Sequence, residues 1–278
     1  MLDNCVLLYH LFTGDILTMY ACVSEYANRY KNVYIFSLKR CEKFVKQLYT
    51  LHNNIIITVL PENYERDNKL YYNVPIEDLS KYLLLKLDEY DLIKTGNSFS
   101  RDGKIIGEWN SISHVGEFWK KFYHQAKLDY SIRYKYTDLN RDHERELNLY
   151  NKVVERYGDK YIFIHDHGHI TYDHKGRKSY LDRDIISSKI PLFHPNINFY
   201  KSKPNHKFHK LWDSSLISDN LLDYCLLIEK AEEINIIDSV FICLAPYLDL
   251  SNVKVKKVKS KLNLKDYDKR LSDWKVYM

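Results

Sequence analysis

Short apolar runs alternating with helical periods constrain this chain more than any other feature. NCVLLYH (4–10), NVYIFS (32–37) and NIIITVL (54–60) are each too short for a core helix and bounded by polar residues, so they read as buried strands. Between them lie ILTMYACVSEYANRY (16–30) and RCEKFVKQLYTL (40–51). In the first, Ile16, Met19, Tyr20, Val23 and Tyr26 or Ala27 recur at helical spacing, giving one apolar face. The turn LFTGD (11–15) places Asp15 as its N-cap. Strand, helix, strand, helix, strand is the pattern of a parallel sheet with crossover helices.

The pattern continues less regularly. Residues 76–96 read as a helix and then a strand. Residues 116–129 read as a helix with Phe118, Trp119, Phe122 and Tyr123 as an apolar stripe, which is more simply core than ligand box. A second α/β half begins after 131–142. It contains a helix over 143–158 ending at Gly158, a strand over 160–166 and another within 184–195, whose end carries His194. A helix follows over 218–234, starting at Ser218 or Asp219, then a strand over 235–238, a helix over 239–248 and an edge-like strand over 252–258. Leu264, Tyr267, Leu271 and Trp274 share one face of a terminal helix over 264–277. The expected organisation is a first α/β domain over 1–130, a second over 131–262 and a terminal helix over 263–278.

Composition narrows the classes. Hydrophobic residues are 45% of the chain, ample for a core, and no run of about 18 uncharged apolar residues exists for a membrane span. The start, with Asp3 and no basic n-region, is not that of a secretory signal. Cys5, Cys22, Cys41, Cys225 and Cys243 form no CxxC pair and read as reduced thiols, which suggests the cytoplasm. A net charge of +5 suits a small anionic ligand but falls short of a nucleic-acid-binding face. Lys254, Lys256, Lys257, Lys259 and Lys261 read as edge-strand lysines that discourage aggregation.

Three places carry candidate chemistry, each at a strand's carboxyl end, where open α/β sheets bind ligands. Gly14-Asp15 offers close backbone approach and a helix N-terminus, or simply a tight turn with a cap. Asp238-Ser239 enters a helix whose first N–H groups, at Ser239, Val240 and Phe241, lack partners and suit a phosphate; alternatively Ser239 only caps that helix. The third is YIFIHDHGHITYDH (161–174). His165, His167 and His169 alternate, as ligands of a metal-dependent hydrolase would, with Asp173 as a fourth. The other readings are a solvated loop, or a substrate loop in which His165 and Asp166 are set by the buried strand behind them. Lys175, Arg177 and Lys178 could then bring positive charge to a diphosphate.

GDILTMYACVSEYANRYKNVYIFS, ERELNLYNKVVERYGDKYIFIHD and NLLDYCLLIEKAEEINIIDSVFICLAPYL, in that order, resemble a group of GT-B-like glycosyltransferases of bacteria and large DNA viruses, akin to fucosyltransferases. The resemblance spans roughly residues 3–250 with gaps, and its third segment is the most specific. It implies two Rossmann-like domains facing across a cleft, with the nucleotide-sugar on the second and a glycan acceptor near Gly14-Asp15 on the first. It also implies His165 and Asp166 at the end of the donor domain's first strand, Asp238, Ser239 and Phe241 at the phosphate or base side, and Glu229, Glu232 and Glu233 in the matching helix segment. Where the family pattern has a second acidic residue and then an arginine, this chain has His167, with Arg177 the nearest arginine; Val240 replaces what is often a small hydroxyl residue.

The expected function is therefore a metal-independent, inverting transferase using a nucleotide-sugar, with GDP-fucose a candidate donor. Asp166, His165 and Asp15 are the candidate bases. Gly14, Arg177, His194, Asp238, Ser239 and Phe241 are the donor-binding candidates, and no resident cofactor is expected. The expected location is cytoplasmic, in a host if the chain is viral. The alternatives are the metal-dependent hydrolase and a non-catalytic nucleotide-sugar or glycan-binding protein.

Overall fold

The computed structural model describes residues 2–64, 74, 78–86, 88–96, 118–165, 189–195, 214–260 and 264–277. The chain divides into two compact units, Met1–Asn140 and Arg141–Met278. Each is an α/β unit built on a sheet whose described strand pairs are all parallel.

In the first unit, β1 (Asn4–Leu8), β2 (Asn32–Ser37), β3 (Ile55–Val59) and β4 (Tyr90–Lys94) lie in the order β3-β2-β1-β4. β1 is central, and Cys5, Val6, Leu7 and Leu8 are all buried, as a strand covered on both faces requires. The intervening helices are α1 (Thr13–Ala27), α2 (Glu42–Leu48) and α3 (Leu79–Tyr82), with α4 (Phe118–Gln125) after β4.

Two expectations about α1 are corrected. The helix begins earlier than Asp15: Ile16 N–H donates to the Phe12 carbonyl at 2.9 Å, so Phe12 is the N-cap and Asp15 belongs to the first turn. Nor does α1 bury a single face, because every residue from Ile16 to Ala27 is buried, Thr18, Ser24 and Glu25 included. The segment 123–138 covers its outer side. Tyr123, Tyr26 and Tyr20 hydroxyls donate to the carbonyls of Thr18, Ala126 and Asp138 at 2.7, 2.5 and 2.7 Å. Burial would raise the Glu25 pKa, yet hydrogen bonds from Lys135, Arg29 and Tyr136 outweigh it and hold the carboxyl at about 2. Gln47 and Asn140 close the same unit by exchanging side-chain-to-carbonyl bonds.

The second unit opens with α5 (His143–Tyr157), capped by the Asp142 carboxylate, which accepts from Arg145 N–H. It ends at Gly158 with φ 86°, a left-handed value glycine adopts without penalty. The strands β5 (Ile162–His165), β6 (Leu192–Phe193), β7 (Glu233–Ile237), β8 (Val255–Lys259) and β9 (Lys275–Tyr277) lie in the order β6-β5-β7-β8-β9. Counted within the unit this is 2-1-3-4-5, a doubly wound order with its switch point between β5 and β7.

Three further expectations change here. The helix expected over 218–234 is a 3-10 turn (Leu221–Tyr224) leading into α6 (Cys225–Glu229), capped by Asn220, whose side chain accepts from Leu222 N–H at 3.1 Å. Ser218 lies upstream of that cap: its hydroxyl donates to Asp223 and accepts from Asn220 N–H at 3.0 Å. Glu232 and Glu233 accordingly lie beyond the helix, Glu233 opening β7.

β8 is interior, flanked by β7 and β9, so its lysines do not guard an edge. Lys256 pairs with Asp273 and Lys257 with Glu233, each at 2.5 Å, while Lys254 next to the strand pairs with Glu232 at 2.8 Å.

The tail is not one helix. It is α8 (Leu264–Tyr267), which follows α7 (Val240–Leu244) in helix order, then a 3-10 turn (Lys269–Leu271) and then β9. Asp268 accepts from Arg270 N–H at 2.9 Å and so restarts the backbone, while pairing with β8 satisfies the last residues. Leu264, Tyr267, Leu271 and Trp274 are nonetheless all buried.

Candidate functional site

The switch point of the second sheet gathers five of the candidate residues, His165, His194, Asp238, Ser239 and Phe241. β5 ends at His165, β6 ends one residue before His194, and β7 ends one residue before Asp238. The register places His165 opposite Ile236, so Asp238 and Ser239 emerge just beyond it on the neighbouring strand. His165 and His194 are buried, with ring centroids 5.9 Å apart. Phe241, from the first turn of α7, lies edge-on to His165 at 4.8 Å and to Phe163 at 5.1 Å. The sequence separates His165 from Asp238, Ser239 and Phe241 by more than 70 residues; the parallel pairing of β5 with β7 brings them together.

Ser239 is the N-cap of α7 by position, but its side chain makes no capping hydrogen bond. Its Oγ is buried with no hydrogen-bond partner, so the plain capping role does not account for this hydroxyl. The N–H groups of Val240 and Phe241 belong to the helical turn that has no intrahelical acceptor. Asp238 keeps a solvent-facing side, while the protein packed around it pushes its carboxyl up to about 6 by desolvation; a Ser260 hydroxyl 3.5 Å away acts in the opposite direction. The ensemble offers hydroxyl and amide donors, an imidazole and a carboxyl within one strand-end cluster.

Asp166, His167, His169, Asp173, Lys175, Arg177 and Lys178 lie outside the described residues. Of the alternating histidines only His165 is described. Among the described residues no group of three or more His, Cys, Asp or Glu side chains is placed to hold a metal.

The first sheet has its own switch point, between β1 and β4, and Gly14 and Asp15 lie beside it in the opening turn of α1. His10, two residues past β1, is buried, and its Nδ1 is 3.8 Å from Asp15 Oδ2. Burial pushes the Asp15 carboxyl up to about 7. Gly96, just past β4, has φ 73° and packs so closely that a Cβ there would lie 2.5 Å from His10 Nε2 and 2.7 Å from Phe122 Cε1. The Gly96 N–H donates to Gln125 Oε1 at 2.7 Å, and His10 is edge-on to Phe122 at 5.3 Å.

Sequence reasoning passed over His10 and Gly96. A signal for His10 did exist: NCVLLYH and YIFIH are both apolar strands that begin a sheet and run into histidine at the ligand-binding end. Gly96 carried no such signal, since its role depends on β4 lying beside β1.

No helix among the described residues is long and apolar enough to cross a membrane. Comparison with protein-family models, with curated proteins and with solved structures found no match.

Proposed function

We propose that the protein is a glycosyltransferase of GT-B type, moving a sugar from a nucleotide-sugar donor to a saccharide acceptor without a metal and with inversion. The observation that carries this reading is the meeting of His165, Asp238, Ser239 and Phe241 at the switch point of the second sheet. Doubly wound sheets bind nucleotides outside the carboxyl ends of their strands at such a point. The buried, unpartnered Ser239 hydroxyl is a group whose acceptor a ligand oxygen would supply.

Glycosyl transfer needs a base for the acceptor hydroxyl and compensation for charge on the departing diphosphate. On this reading Ser239 and the neighbouring N–H groups, with Arg177, serve the diphosphate, and His194 and Phe241 frame the donor. The base is one of Asp166, His165 and Asp15. The raised carboxyl of Asp15 favours a proton-transfer role in the first unit, where the acceptor is expected.

The test is a thermal-shift panel of GDP, UDP, CDP, dTDP and their sugars in EDTA and in divalent metal, followed by transfer and donor-hydrolysis assays with any responder. A nucleotide that stabilises equally in EDTA and whose sugar is transferred is the expected result. Binding without transfer or hydrolysis would mean a non-catalytic binder, and a response to metal alone would return the hydrolase.

A further inference from the structure

The second unit also holds a cavity of about 700 Å³ that, among the described residues, shares no lining residue with the switch-point site. That size falls within the roughly 300–1,000 Å³ typical of small-molecule sites. One wall is a single face of α5, where Arg145, Asn148 and Lys152 recur at intervals of three and four. The opposite wall is the segment 215–223, and Pro195, next to His194, adds an apolar side.

Asp223 is 4% exposed and lines this space. Its Oδ2 accepts from Arg145 Nη2 at 2.7 Å and from Ser218 Oγ at 2.5 Å. Its Oδ1 is buried with no hydrogen-bond partner.

Charge decides against a simple anion site. Arg145 and Lys152 are balanced by Asp219 and Asp223, so phosphate or carboxylate gains no net attraction. The wall instead mixes donors (Arg145, Lys152), acceptors (Asp219, Asp223) and groups that do both (Asn148, Ser218) beside an apolar surface. Hydroxyls are the ligand groups that donate and accept at once, and a pyranose ring adds an apolar C–H face.

We propose that this cavity binds a neutral saccharide, with ring hydroxyls bonded to Asn148 and Lys152 and an apolar C–H face on Pro195. The inference does not rest on the transferase reading: a chain that ignores every nucleotide yet binds sugar here keeps the one and loses the other.

Ligand-observed NMR titrations with the methyl glycosides of glucose, galactose, mannose, fucose and N-acetylglucosamine, with inorganic phosphate as the control anion, test it. At least one glycoside is expected to bind with a Kd below about 10 mM, the weak end of the affinity scale. Asn148→Trp, at an exposed helix position, fills the mouth and should weaken that binding at least about tenfold. Lys152→Ala should weaken it as well. No glycoside binding in this range, unchanged binding in Asn148→Trp, or phosphate displacing the bound sugar would each overturn the proposal.

Discussion

The Nδ1 of His10 lies 3.8 Å from Asp15 Oδ2, too far for a hydrogen bond, in a part of the first unit where both side chains are largely shielded from water. Burial without a close donor is what raises the Asp15 carboxyl from 3.8 to about 7. The folded state therefore holds this proton more tightly than the unfolded chain, and the group's contribution to stability falls as pH rises between those values. Asp15→Asn removes the ionisable proton, so the variant should gain on the wild type as pH rises and the gain should level off above about 7. At 1.36 kcal/mol per unit the full gain is at most about 4 kcal/mol. Urea unfolding of both proteins at pH 5 and pH 8 measures it. A variant that is less stable at pH 8 would mean an ionised Asp15 paired with His10.

Gly96 and Gly158 both have positive φ, but only one is crowded. At Gly158 a Cβ would meet nothing within 4 Å, so Gly158→Ala costs only the backbone strain of φ 86° and ψ 172°, about 1–3 kcal/mol. At Gly96 the backbone cost of a positive φ is joined by overlap with His10 and Phe122. Gly96→Ala should therefore lose several kcal/mol, roughly 3–5, and disturb the environment of His10. Denaturant midpoints of the two variants, side by side, test the difference; equal losses would mean that the packing around Gly96 yields easily.

The buried Ser239 hydroxyl gives stability and binding opposite signs. Ser239→Ala removes a hydroxyl that has no partner, so the melting temperature should stay level or rise, by no more than about 1 kcal/mol in stability. The stabilisation conferred by a responding nucleotide should fall, by about 1.4 kcal/mol for each tenfold loss of affinity. Thermal shifts with and without nucleotide read both. An unaltered nucleotide response would remove Ser239 from the donor site.

Arg141 ties together the start of the second unit. Its guanidinium donates to both oxygens of Glu146, which is 1% exposed, and to both oxygens of Glu229. Arg141→Met would leave two shielded carboxylates side by side without their cation, a loss of about 3–5 kcal/mol. Arg141→Lys keeps the charge but not the planar fork and should lose less. Chemical denaturation of the three proteins measures the order, and a Met variant as stable as the wild type would contradict it.

Much of the secondary structure is local enough to be legible in the residues. NVYIFS is β2 residue for residue, and the helix expected over 143–158 spans His143–Tyr157. Local signals misled where a later segment changed what they meant. Polar Thr18, Ser24 and Glu25 marked an exposed side of α1 only until residues 123–138 covered it. The lysines of 254–259 looked like an edge until β9, formed from residues expected to be helical, paired alongside them. The helical spacing of Leu264, Tyr267, Leu271 and Trp274 reported their burial correctly but not the backbone that achieves it.

The sequence by itself determined that the chain alternates strands and helices, and that histidine and acidic residues gather where strands end. The tertiary structure decided which strand ends are neighbours. His165 meets Phe241 because β5 pairs with β7, and His10 meets Gly96 because β1 pairs with β4. Strand order and register depend on contacts between residues far apart in the chain, and a run of apolar residues states that a strand is buried without stating beside which other strand.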